Sequence, residues 1–126
     1  MKLYYDVGEK MDGEILNTDD FEFAFNYPDA LERLVALKLI NFDLWYLMSR
    51  EQSVVIHKQL KMNYNSNGLI PFARRGDNED IACLESGNHE KVVVLKNCEY
   101  LGYRQRQVFD SVWDWFRYAI EIMIAF

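Results

Sequence analysis

Leu69-Ile70-Pro71-Phe72-Ala73-Arg74-Arg75-Gly76-Asp77-Asn78-Glu79-Asp80-Ile81-Ala82-Cys83-Leu84-Glu85 reads as two short strands around one polar turn. The arms, Leu69 to Arg74 and Asp80 to Glu85, are rich in apolar residues. Between them, Arg75-Gly76-Asp77-Asn78 has the residue types that reverse a chain. Working outward, Ser86-Gly87-Asn88 turns again. Lys91 to Lys96 carries Val92-Val93-Val94-Leu95, a β-branched apolar strand. Glu99 to Arg104 gives a fourth strand. Short strands joined by polar turns predict an antiparallel meander.

Upstream, Asn26 and Pro28 open a helix, because proline fits the first turn where its missing donor has no partner to lose. Ala30, Leu31, Leu34, Val35 and Leu37 recur at helical spacing, which carries the helix to near Asn41. Phe42 to Met48 is an aromatic patch, either helical or a buried connection. Ser49-Arg50-Glu51-Gln52 is a capping-box pattern, and it starts a helix from Arg50 to about Tyr64 with Ile56, Leu60 and Tyr64 on one face. Asn63 to Gly68 is polar and breaks the chain. Downstream, Asp110 is the predicted N-cap of a last helix. Its face holds Val112, Trp113, Phe116, Ala119, Ile120 and Met123, widened by Trp115, Ile122 and Phe126. At the start of the chain, Leu3-Tyr4-Tyr5 and Phe21-Glu22-Phe23-Ala24-Phe25 read as short strands, with a turn at Asp12-Gly13. The segregated order predicts an α+β fold. A mostly antiparallel sheet, from residues about 69–105 plus the N-terminal strands, packs against helices.

The 126 residues fit one domain, 1–126, and an apolar content of 50% with 27% charged residues excludes disorder along the whole chain. The net charge of −6 is not evenly spread. Residues 1–30 hold eight of the 20 acids and two of the 14 bases, so that segment accounts for all of it. An acidic chain does not coat a nucleic-acid backbone or an anionic membrane by charge, so neither is expected as a partner. Cys83 and Cys98 are too few for a disulfide scaffold and point to a reducing cytoplasm, where both pack as small hydrophobes. The N-terminus has no apolar signal-peptide core. The apolar run Tyr118 to Phe126 is interrupted by Glu121 and too short to span a bilayer.

The search for chemistry finds little. Cys83, Cys98, His57 and His89 lack zinc-knuckle spacing, and they read as two core thiols, a helix-surface His57 and a loop His89. No metal or cofactor is predicted. Asp77, Glu79 and Asp80 crowd a turn with Asn78, and their oxygens could meet a cation. The full calcium-loop pattern is missing, so solvated acids, or acids paired with Arg74 and Arg75, are the expectation. There is no glycine-rich phosphate loop, Gly-x-Ser-x-Gly or His-Glu-x-x-His. Tyr103-Arg104-Gln105-Arg106 reads as an exposed strand edge, and Trp113, Trp115 and Phe116 as core. A small acidic domain of this kind is a binding module more often than an enzyme.

Residues 69–120 resemble the SUKH superfamily, which includes fungal cell-wall regulators and many bacterial immunity proteins. The likeness lies in the apolar-Pro-Phe-Ala strand at 69–73, the Gly/Asp/Asn turn, and the strand Asp80-Ile81-Ala82-Cys83-Leu84. The valine-rich strand and a closing helix with Phe109, Trp113 and Trp115-Phe116 complete it. The family's leading helix and Gly-Gly turn have no visible counterpart in residues 1–60. The resemblance implies a mixed sheet with flanking helices, no enzymatic activity, and binding to a protein partner, often a cognate toxin domain. The candidate partner-binding residues are Asp12, Asp19, Asp20, Glu22, Arg74, Arg75, Asp77, Asn78, Glu79 and Asp80, since an acidic surface complements a basic groove. Two other readings compete. One is a small hydrolase or metal-dependent enzyme using Asp77, Glu79, Asp80 or His57. The other is a structural or regulatory homodimer on the wide apolar face of the last helix.

Overall fold

Alternation along the central strands places helices on both sides of one sheet. The computed structural model describes residues 28–63, 68–85, 88–97 and 102–125. Among them are three helices, α1 (Asp29–Ala36), α2 (Arg50–Asn63) and α3 (Val112–Ala125). Six strands accompany them: β1 (Asn41–Phe42), β2 (Trp45–Leu47), β3 (Leu69–Arg75), β4 (Ile81–Glu85), β5 (Asn88–Asn97) and β6 (Tyr103–Phe109). The strands form one open antiparallel sheet in chain order, β1-β2-β3-β4-β5-β6, so the fold is α+β. Ala82, Leu84, Val92 and Val94 join the core formed with Leu31 and Leu34 of α1 and Val112, Trp115 and Ala119 of α3. Their chain neighbours Ile81, Cys83, Val93 and Leu95 join the core formed with Ile56 and Leu60 of α2. A period of two thus divides one apolar run between two cores. The expected strands at Leu3 to Tyr5 and Phe21 to Phe25, and Cys98, lie outside the described residues.

Trp115 centres the first core. Fully buried, it meets Phe42, Trp45 and Phe72 edge-on, with ring centroids 6.1, 5.5 and 5.0 Å away. Aromatic rings favour this arrangement because a positive ring edge meets a negative face.

Several boundaries differ from the sequence expectation, each for a local reason. α1 stops at Ala36 rather than near Asn41. Leu39 N–H donates to the Leu34 carbonyl at 2.8 Å and Lys38 N–H to that of Val35 at 3.0 Å, which is a Schellman ending. Lys38 takes the left-handed position (φ 60°), where glycine is usual, so the stop signal is absent from the sequence. Phe42 to Met48 is neither helical nor a plain connection but contains, with Asn41 before it, a tight hairpin. Phe42 faces Trp45, Asp43 N–H donates to Asn41 Oδ1, and Asp43 takes φ 77°. Asn and Asp tolerate that geometry better than other residues with side chains.

The capping box at Ser49 forms as expected: Ser49 N–H donates to Gln52 Oε1 at 3.0 Å and Gln52 N–H to Ser49 Oγ at 3.2 Å. For α3 the cap is Ser111 and not Asp110, because Asp114 N–H donates to Ser111 Oγ at 3.1 Å. Of the strand expected at Glu99 to Arg104, residues 99–101 lie outside the described residues, and Tyr103 and Arg104 begin β6, which runs on to Phe109. His89, expected in a loop, falls within β5.

Candidate functional site

The β3–β4 turn holds most of the described residues that the sequence nominated. Its backbone closes through Arg75 N–H to the Asp80 carbonyl and Glu79 N–H to the Arg75 carbonyl, both 2.9 Å. Asn78 Oδ1 accepts from Asp80 N–H at 2.9 Å, and Glu79 sits in the left-handed region at φ 64°. Side-chain oxygens that copy a turn's backbone contacts are the reason Asx residues are frequent here.

The acids of this turn take separate partners. Arg75 grips Asp77 with two parallel bonds, Nε to Oδ1 at 2.6 Å and a terminal nitrogen to Oδ2 at 3.0 Å. Those bonds hold the Asp77 carboxyl below the usual carboxylate range and raise the guanidinium in return. Arg74 meets Glu79 at 3.4 Å. Both pairings were expected. Asp77 and Glu79 keep solvent-exposed side chains, 39% and 57%, and Asn78 is exposed as well.

Asp80 departs from the expectation of a solvated acid, or one paired with Arg74 or Arg75. Its side chain is 1% exposed, and its carboxylate meets Arg106 Nε at 2.7 Å. The register explains how. Ile81 lies opposite Leu95, and Leu95 opposite Gln105, so Arg106 reaches across β5 to the start of β4. The pairing slips between Val94–Gln107 and Leu95–Gln105, which leaves Arg106 as the extra residue of a bulge. Bulges re-aim a side chain in this way. No local sequence signal announces the pair, since its members are 26 positions apart.

Among the described residues, β6 is the outermost strand on its side of the sheet. Arg104, Gln105, Arg106, Gln107 and Val108 are all exposed, so the middle of the strand is open on both faces, while Tyr103 and Phe109 at its ends pack against the two cores. The expected exposed strand edge at Tyr103 to Arg106 is therefore present. Tyr103 itself is half-buried against the α2-side core, and burial raises its phenol pKa. Arg104 lies directly opposite Lys96, also exposed, so two cations share one face.

The groups proposed for hydrolytic or metal chemistry do not converge. His57, expected on a helix surface, is 3% exposed. Its Nδ1–H donates to the Leu69 carbonyl at 2.9 Å. Leu69 begins the strand that Arg75 ends, so the histidine sits about 20 Å from the acidic turn at ~3.3 Å per residue. Among the described residues, no group of three or more His, Cys, Asp and Glu side chains could hold a metal. Cys83 is wholly buried, which pushes its thiol pKa far above the ordinary value and keeps it unreactive. A groove of about 340 Å³ runs between α2 and β3, lined by Glu51, Gln52, Val55, Ile56, Gln59 and Arg74. Gln52 is engaged in the capping box there, and Arg74 with Glu79. Asp12, Asp19, Asp20 and Glu22 lie outside the described residues.

Among the described residues, no helix is long and apolar enough to cross a membrane. No family model, curated protein or solved structure matches the chain.

Proposed function

We propose that this chain is a non-catalytic protein-binding domain. The observation that carries the reading is the β3–β4 turn. Asp77, Asn78 and Glu79 stand exposed on a loop already fixed by its own hydrogen bonds and by Arg74 and Arg75. A preformed polar surface loses little freedom when a partner docks, which favours binding. The resemblance of residues 69–120 to SUKH proteins supports the same reading. It also supplies the finer form of the proposal: a bacterial immunity protein that neutralises a cognate toxin.

The test is co-purification with the products of neighbouring genes. Neutralising Asp77 and Glu79 should weaken the captured complex and flatten its salt dependence, as should neutralising Asp12, Asp19, Asp20 and Glu22. Unchanged affinity and salt dependence in both variants would remove the charge-complementarity part of the proposal. Capture of no partner would remove the toxin part.

A second reading, a homodimer built on α3, draws on Trp113 and Ile124, which remain 39% and 75% exposed. Light scattering across a range of concentrations tests it. A mass that stays at 15.0 kDa excludes the dimer.

A further inference from the structure

We propose that the outer edge of β6 is a strand-addition site for an extended acidic segment of a partner protein. The inference rests on the reading as a protein-binding domain and names the chemistry of one contact.

Three observations carry it. First, β6 is seven residues long and, among the described residues, has a neighbour on one side only. In an antiparallel ladder the outward backbone N–H and C=O groups of such a strand form a row that another chain can pair with. The opposite edge, β1, has only two residues and offers no comparable row. Second, five consecutive exposed residues, Arg104 to Val108, leave room for the added strand's side chains on both faces.

Third, the charge selects the occupant. Lys96 and Arg104 stand directly opposite each other, a like-charged pair that costs stability in an isolated sheet. Among the described residues, no acid is within ion-pair distance of either one. A glutamate or aspartate opposite Arg104 on an added strand would share their face, pair with Arg104 and lessen its repulsion with Lys96. Arg106 is already committed to Asp80 and stays out of this contact. A second copy of β6 is a poor occupant, because it would bring more arginines against the first set.

The probe is an acetylated nine-residue peptide of alternating glutamate and threonine, which puts all its glutamates on one face of a strand. Its twin carries N-methyl groups on alternate amides, keeping the charge while blocking the ladder. Each is titrated into the full chain by two-dimensional amide NMR. The unmethylated peptide should bind and shift the amide signals of residues 103–109. The methylated twin should bind about ten-fold more weakly or worse. Lys96→Glu with Arg104→Glu, checked for native fold by circular dichroism, should weaken the unmethylated peptide by at least about ten-fold.

Equal binding of both peptides means a mere polyanion contact and overturns strand addition. Unchanged affinity in the double variant overturns the charge selection. Absence of binding overturns the site itself. Co-purification of a neighbouring-gene partner reads the broader function separately and can succeed while this site fails.

Discussion

Arg106, on the last strand of the sheet, closes over the buried carboxylate of Asp80 two strands away, with 2.7 Å between Nε and Oδ2. The arginine is 37% exposed and the aspartate 1%. The pair therefore joins the β3–β4 turn to the last of the described strands. Removing one partner of a buried pair strands a charge without water or counter-ion. Arg106→Met should cost about 3 kcal/mol. Asp80→Asn in the same background should return part of it, since the asparagine leaves no charge to bury. Urea midpoints for both single variants and the double variant give the coupling. Additive losses would mean that the two residues act independently.

Trp115→Ala should cost about 4 kcal/mol, because it leaves a large cavity under three aromatic rings. Thermal or urea unfolding measures the loss. Trp115→Phe keeps a ring at the centre and should cost clearly less.

Ser49→Ala removes one half of the α2 capping box and should cost about 1 kcal/mol. Gln52→Ala should show a smaller loss. The double variant should lose less than the sum of the two singles, because the bonds are reciprocal.

The Asp77 carboxyl lies below its ordinary pKa, chiefly through the hydrogen bonds from Arg75. A lowered folded-state value means that the pair stabilises the fold above the ordinary carboxylate range. That stabilisation is lost as pH falls through the lowered value. Asp77 is partly exposed, so the effect is small, about 0.5 kcal/mol. Asp77→Asn should therefore be less stable than the parent at neutral pH, and the gap should close in acid. A gap that widens in acid would contradict the assignment.

Cys83 should resist alkylation in the native state and react once the chain is unfolded. Mass spectrometry of the peptide containing Cys83, after iodoacetamide treatment with and without urea, checks it. Burial keeps the thiol protonated at neutral pH, and the nucleophile is the thiolate.

The centre of the sheet was readable from the sequence because its signals are local. The strands flanking the 75–80 turn, the valine-rich strand and the capping box at Ser49 each depend on residues within a few positions of one another. The misread features have a different origin. Lys38 occupies a position that glycine normally marks, so the end of α1 was hidden. β6 carries Arg-Gln-Arg-Gln with both faces open, so it lacks the apolar alternation that identifies a half-buried strand. Its true span ran past the expected one for that reason. The fates of Asp80 and His57 depend on distant partners, Arg106 and the Leu69 carbonyl, which local sequence patterning does not specify. Asp77, Glu79, Arg74 and Arg75 lie close in the chain, and their pairing was legible.

Because the spatial order of the strands repeats their order along the chain, most of the sheet can assemble by successive zippering. Each hairpin from β3 onward closes a short loop, for which the entropy loss is small. Only the step from β2 to β3 must enclose a helix, α2. A chain emerging from the ribosome could therefore build its sheet from β3 outward and reach β6 last, so the Asp80–Arg106 clasp would form only once the final strand is in place. That late closure makes the clasp a natural reporter of the completed sheet.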